Sequence, residues 1–324
     1  MPEPYPLTSR ERTRWILDRR QGIARDAGLS PGRVSHSLRE TEPDGVGGFA
    51  SILTLFLTNR ECPWRCLMCD LWRHTLERPL RPGDVLRQID DALAADSALE
   101  PERPAWLKLY NAGSFFDARA IPREDLDGIA RRASSFGRLV VECHPTLVGP
   151  RILPFRDALG GETRLEVAMG LETAHPEVLD RLNKGFGLPE FASACGFLKR
   201  EGIDVRVFVL LRPPFMDEPT GLEWAVLSTR HAFECGADVV TLIPTRDGNG
   251  AMEALRASGD YAPPQLASLE TALRAGLELR RGRVFADTWD LGRFCDNSHE
   301  VAETKARLER WNRLQVADPP EPGH

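Results

Sequence analysis

From residue 49 onward, short apolar runs alternate with longer stretches of helical periodicity. Leu-, Val- and Phe-rich runs lie near 51–58, 105–110, 138–143, 164–169, 203–211, 238–243 and 283–286. Between them, apolar positions recur at helical spacing over 82–96, 122–135, 176–183 with 189–201, 219–235 and 263–280. Continuous apolar runs of this length suit strands covered on both faces, and strands alternating with helices imply parallel pairing through right-handed crossovers. Six or seven such units predict an α/β fold that closes, or nearly closes, into a (β/α)6-type partial TIM barrel. An open doubly wound sheet is the competing arrangement, but no G-x-G-x-x-G follows any run, which counts against its dinucleotide-binding form.

The flanks read differently. Residues 8–27 have the spacing of an amphipathic helix, with Thr8 or Ser9 as its cap and Trp15, Ile16, Ile23 and Ala27 on one face. Residues 28–48 hold Gly28, Pro31, Gly32, Pro43, Gly45, Gly47 and Gly48 and read as an irregular connector. A helix is expected over 299–314, followed by a Pro-rich tail. The expected divisions are thus 1–48, a barrel over 49–287, and 288–324.

Composition narrows the class. Hydrophobic residues make up 42% and charged residues 28%, as in ordinary globular chains. The longest apolar run, 50–58, is too short to span a membrane, and charges occupy 1–20 where a signal peptide needs an apolar core. A cytoplasmic protein is the expectation. The net charge of −6 argues against a bare DNA- or RNA-binding module. Lysine occurs only at 108, 184, 199 and 305, so arginine on this chain carries little functional information by itself.

Three of the seven cysteines fall within eight residues: Cys62, Cys66 and Cys69, in a C-x3-C-x2-C pattern directly after the first run. Thiolates bind soft metals, and three in one loop can hold a cluster without distant chain closure. Structural zinc takes four ligands, and His74 is the candidate for a fourth. Three thiolates on a [4Fe–4S] cluster would instead leave one iron open to a cofactor. Cys195 and Cys235 sit in helical patterns and read as core residues; Cys143 reads as a buried thiol.

In parallel α/β folds the chemistry lies at the carboxyl ends of strands. There this chain has Asn111-Ala112-Gly113-Ser114, Glu142-Cys143-His144, Gly170-Leu171-Glu172, Arg212-Pro213-Pro214 and Pro244-Thr245-Arg246. Carboxylates ending apolar strands need partners. Lys184-Gly185 follows a helical segment.

The cysteine loop resembles that of the radical S-adenosylmethionine superfamily. The resemblance implies a [4Fe–4S] cluster on Cys62, Cys66 and Cys69, with S-adenosylmethionine chelating the open iron and yielding a hydrogen-abstracting 5′-deoxyadenosyl radical. One departure is Met68, at a position often aromatic in the family; it can still pack on adenine. Asn111, Ala112, Gly113 and Ser114 stand where the family binds the cofactor's amino group, with Asp117 the nearby carboxylate, and Lys184 stands where a basic residue pairs with its carboxylate. Glu172 and Arg212 complete the expected cofactor set. Glu142, His144 and Glu172 are the expected catalytic residues, holding ribose hydroxyls, substrate or a proton.

Within the superfamily, KLYNAGSFFD (108–117), LEVAMGLE (165–172, read from Leu165), NKGF (183–186), LLRPPF (210–215), YAPP (261–264) and Cys295-Asp296 resemble the archaeosine-synthase radical group, near the Elongator catalytic-subunit branch. That group lyses a lysine adduct on a 7-deazaguanine in tRNA. The resemblance implies a flavodoxin or ferredoxin reductant and a second subunit that delivers tRNA, because no RNA-binding domain is evident here. Asn111-Ala112 departs from the group's pattern, which leaves a free nucleoside, peptide or small metabolite as an alternative substrate. A non-catalytic iron–sulfur or zinc protein is the contrasting class.

Overall fold

The computed structural model describes residues 4–100 and 102–318. Eight strands form one sheet in sequence order: β1 His36–Pro43, β2 Phe49–Leu57, β3 Trp106–Asn111, β4 Arg138–Glu142, β5 Arg164–Glu172, β6 Asp204–Leu211, β7 Val239–Pro244 and β8 Arg283–Ala286. From β2 to β8 every neighbour pair is parallel. The helices are α1 Ser9–Arg19, α2 Asp84–Leu99, α3 Leu126–Ala133, α4 Leu153–Ala158, α5 Pro176–Arg181, α6 Leu188–Arg200, α7 Glu218–Glu234, α8 Ala251–Ser258, α9 Leu266–Glu278 and α10 Ser298–Leu314. The architecture is the expected partial TIM barrel, with all seven apolar runs as its parallel strands.

Period-2 alternation divides each strand between two environments. Leu53, Leu55, Leu107, Leu109, Leu139, Val141, Val167, Val207, Val240 and Val284 point outward into the main core beneath the helices. Each fully buried side chain of this kind contributes about 1.5–3 kcal/mol. The alternate positions face the barrel interior, and near its amino-terminal end these are charged. Arg206 donates to Glu166 at 2.6 Å and to Glu42 at 2.7 Å. Lys108 reaches Glu42 at 2.5 Å, and Arg138 reaches Glu166 at 2.7 Å and Asp204 at 2.6 Å. Burial alone would raise the Glu42 carboxyl, but Arg206 and Lys108 outweigh it and hold it below the usual range. The floor of the barrel is therefore a closed lattice of compensated charges.

Three expectations are corrected. The connector 28–48 contains β1, which pairs antiparallel with β2 from His36↔Phe56 to Pro43↔Phe49. Its turn is set by Asp44 Oδ1, which accepts from Val46 N at 2.8 Å and Gly48 N at 2.9 Å. The first helix stops at Arg19 rather than 27, because Gly22 takes φ +84°. Two short helices, α4 and α8, were not anticipated; Glu253 caps α8 by accepting from Gly250 N at 2.7 Å.

The sheet does not close on itself: β1 and β8 are its two edges and do not pair. Arg283, at the start of β8, bridges the floor end by donating to the Pro43 carbonyl at 2.7 Å. Asn312 of α10 and Gln315 directly after it hydrogen-bond the free edge of β8 through Ala286 and Val284, standing in for a ninth strand. Among the described residues no helix is long and apolar enough to cross a membrane.

Candidate active site

The cysteine loop leaves β2 at the carboxyl end of the sheet and is anchored from several sides. Leu67 is fully buried among Ile16, Val178, Leu182 and Met252, and its N–H donates to the Leu182 carbonyl at 2.9 Å. Asn249, just before α8, donates to the carbonyls of Leu67 at 2.8 Å and Cys69 at 3.2 Å. Asn183 donates to the Arg65 carbonyl at 2.9 Å. Glu61 binds Arg20 at 2.9 Å and Arg25 at 2.8 Å, which ties the loop to the segment after α1.

Cys62, Cys66 and Cys69 are half-buried and line one cavity of about 1780 Å³ that runs from the strand ends toward the charged floor. Burial, reinforced by the neighbouring Cys66, pushes the Cys62 thiol up to about 12 and raises that of Cys69. Free thiols here are protonated at neutral pH, and a metal would displace those protons. Gly113, at φ +129°, lies against the loop: a Cβ there would come within 3.1 Å of Cys62 Cβ. Only glycine satisfies both the backbone and the contact.

The donor set fits an iron–sulfur cluster better than zinc. Among the described residues no three His, Cys, Asp or Glu side chains close on one metal position. Three thiolates from one loop are the donor number of such a cluster when one iron is left open. His74 is bound to Asp26 at 2.6 Å and is not turned to the cysteines as a fourth ligand.

Opposite the loop, Lys184 Nζ meets Glu172 Oε1 at 2.5 Å, with both side chains buried. Burial lowers the Lys184 pKa, but the Glu172 carboxylate outweighs it, so the ammonium is retained. Gly170 makes room for the pair, since a Cβ there would stand 2.7 Å from Lys184 Nζ and would overlap Glu172 Oε1. Glu172 itself takes φ +67°, a strained backbone for a side-chain residue. Glu142 also lines the cavity. Burial pushes its carboxyl up to about 8, with repulsion from Glu172 adding and a hydrogen bond from the Asn111 backbone opposing. At neutral pH it is a proton-bearing donor.

Several expected residues take other roles. His144 stacks on Trp64 with centroids 3.8 Å apart and planes 10° from parallel. Its Nε2 donates to the Lys184 carbonyl at 2.9 Å, and Nδ1 faces Thr146 Oγ1 at 2.8 Å and accepts from Thr146 N at 3.3 Å. Burial lowers its pKa to about 4. With both nitrogens engaged, His144 is a positioning residue and not the proton-transfer group expected. Ser114 is buried away from the cavity, donating to Cys143 Sγ at 3.4 Å and accepting from His144 N at 3.3 Å. Arg212 does not line the cavity; it donates to Glu218 at 2.7 Å and the Pro263 carbonyl at 2.8 Å. Asn111 is buried outside the cavity lining, with neither amide atom hydrogen-bonded. Ala112, Gly113 and Met68 do line the cavity, and the Ala112 carbonyl accepts from Asn59 at 3.1 Å.

Trp64, Asn183 and Asn249 were not anticipated. Trp64 and Asn183 lie beside motifs the sequence marks, whereas Asn249 has no signal at all. Nor was the aromatic belt above the floor, where Tyr110 meets Phe56 and Phe208 with centroids 6.0 and 6.2 Å apart.

No family model matches the chain. It is 28% identical to archaeosine synthase subunit beta of Methanosarcina acetivorans over 244 residues, which is 72% of this chain and 69% of the relative. It is also 28% identical to archaeosine synthase subunit beta of Thermococcus kodakarensis over 192 residues, 57% of this chain and 59% of that protein. In structure it is similar to an amino-terminally truncated Elp3 of Methanocaldococcus infernus, with TM-score 0.51 and 15% identity over 70% of this chain and 58% of that one. The chain thus resembles archaeosine synthase subunit beta in sequence, and it has the partial-barrel fold expected from its own sequence.

Proposed function

We propose that this chain is a radical S-adenosylmethionine enzyme acting on a nucleobase-derived substrate, in the manner of a C–N lyase step on a 7-deazaguanine in tRNA. The observation that carries the reading is the cysteine loop facing a buried Lys184–Glu172 pair and Glu142 across one deep cavity. A non-catalytic iron–sulfur carrier has no use for such a cavity. The names of the relatives support the nucleobase and tRNA part.

In this reading Cys62, Cys66 and Cys69 would hold a [4Fe–4S] cluster, and residues at the ends of β3–β5 would bind S-adenosylmethionine. When bound, the two groups supply a reducing electron and a hydrogen-abstracting 5′-deoxyadenosyl fragment. The chain's residues supply binding and order. Lys184 offers a retained ammonium to the cofactor carboxylate, and Glu172 fixes its direction. Glu142, protonated, donates to a ribose or substrate oxygen. Trp64 on His144 locks the loop to the end of β4, and the backbone of Ala112-Gly113 lies against Cys62. The belt of Phe56, Tyr110 and Phe208 displaces water from the interior, where a radical must be shielded. A reducing flavodoxin or ferredoxin, and a second subunit to present tRNA, complete the proposal.

The test is anaerobic reconstitution followed by incubation with S-adenosylmethionine, reductant and tRNA carrying the modified base. Formation of 5′-deoxyadenosine with a mass change in the tRNA base supports the reading. Turnover of a free nucleoside or amino-acid conjugate with no change in RNA would replace the RNA part by a small-molecule substrate.

A further inference from the structure

The cavity has a side as well as a mouth. Because β1 and β8 do not pair, its wall between them is built by α10 and by the residues that follow β8. The gap is pinned at the floor by Arg283 on the Pro43 carbonyl, and among the described residues no hydrogen bond joins the two edges toward the cysteine end. On that rim stands Trp289, 66% exposed, which also lines the cavity. An exposed tryptophan is costly, yet this one is held in place. Its backbone N–H donates to Asp287 at 2.9 Å, its carbonyl accepts from Arg246 at 2.5 Å, and the Arg246 guanidinium lies 5.2 Å from the ring centroid.

Two further exposed cations line the same cavity, Arg33 on the β1 side and Lys305 on α10. Arg33 has no carboxylate partner among the described residues, and Lys305 has only Glu309 at 3.8 Å. Arg313 of α10 lies at the floor end instead, its guanidinium 5.0 Å from the Phe49 ring centroid. Arg246 is neutralised by Asp287 at 2.9 Å. Arg33 and Lys305 are thus exposed cations on a chain of net charge −6.

We propose that the gap between β1 and β8 admits a single-stranded segment of RNA. Trp289 is the shelf on which a base beside the reacting nucleotide stacks, and Arg33 and Lys305 contact the flanking phosphates. The proposal rests on the nucleobase reading above. Cations with a fixed, exposed aromatic are the combination that binds unpaired strands, since every base offers a face to stack. An acidic redox protein would match the cations but would have no use for an aromatic opening into the interior. A base leaving its stack would pass directly from the shelf to the cavity.

Binding of unfractionated tRNA and of a short single-stranded RNA would be measured over a salt series for wild type, Trp289→Ala, Trp289→Phe and the double variant Arg33→Ala/Lys305→Ala. Trp289→Ala should weaken binding about tenfold or more with the salt slope unchanged, and Trp289→Phe should recover most of it. The double variant should flatten the slope by about 1.4–1.8. Wild-type-like binding by Trp289→Ala, or no RNA binding by wild type, overturns the proposal. So does loss of flavodoxin affinity, rather than RNA affinity, in these variants. Cofactor cleavage by wild type is assayed in parallel. Cleavage without any effect of Trp289→Ala on RNA removes the shelf alone. The reverse pattern removes the radical reading alone.

Discussion

Arg206→Met probes the charged floor on which the cavity rests. Arg206 is buried and donates to Glu166 at 2.6 Å and to Glu42 at 2.7 and 3.2 Å. Removing it leaves two buried carboxylates short of a partner, and breaking such a set costs about 3–5 kcal/mol. Lys108 on Glu42 and Arg138 on Glu166 remain, which favours the lower end. For 324 residues the unfolding entropy is about 0.7 kcal/mol/K, so Tm should fall by about 4–7 °C. The sign with pH is fixed as well. In the wild type Glu42 and Glu166 are both held below the usual carboxylate range and stay ionised from pH 5 to 8. Without Arg206 their pKa values rise, the folded variant takes up protons, and its deficit shrinks as pH falls. Differential scanning fluorimetry of both proteins at about pH 5 and pH 8 measures this. A drop below about 2 °C, or a deficit that does not change with pH, would refute the reasoning.

Other expectations follow from the site. Alanine at any one of Cys62, Cys66 or Cys69 should abolish the reduced-cluster EPR signal of anaerobically reconstituted protein, in which wild type should carry about four irons per chain. Lys184→Ala should weaken S-adenosylmethionine binding by about 1.5–3 kcal/mol by calorimetry, the range for a charge-assisted hydrogen bond. In cluster-free protein, Glu142→Gln should be increasingly more stable than wild type as pH rises. The folded carboxyl is raised from 4.5 to about 8, so its contribution is lost across that window. The gain is below the full ~1.4 kcal/mol per unit because the group still touches cavity water. Gly113→Ala should lower iron incorporation, because a Cβ there meets Cys62.

The seven parallel strands were legible because their outward faces are apolar, and the flanking residues make each run nearly continuous. Lys108, Glu166 and Arg206 sit inside those runs and signal nothing until the sheet curls and brings them together. β1 was illegible for the same reason: Glu40 and Glu42 face a charged interior, so the strand lacks the apolar alternation that marks one. The cysteines were legible by spacing alone. At the strand ends, residue type was not enough. His144 and Ser114 have the right chemistry, but a Trp64 stack and a Cys143 contact engage them, and Arg212 turns to Glu218. Asn249 clamps Leu67 from 182 residues away, a separation no local pattern reports.

The proposed role of the loop, Lys184 and Glu142 together is reductive cleavage of S-adenosylmethionine. It is tested most directly by 5′-deoxyadenosine formation in anaerobically reconstituted protein with reductant, beside the Cys66→Ala variant. Cofactor-dependent product from wild type and none from the variant is the predicted result. Equal product from both, or none from wild type carrying a full complement of iron, would contradict the account.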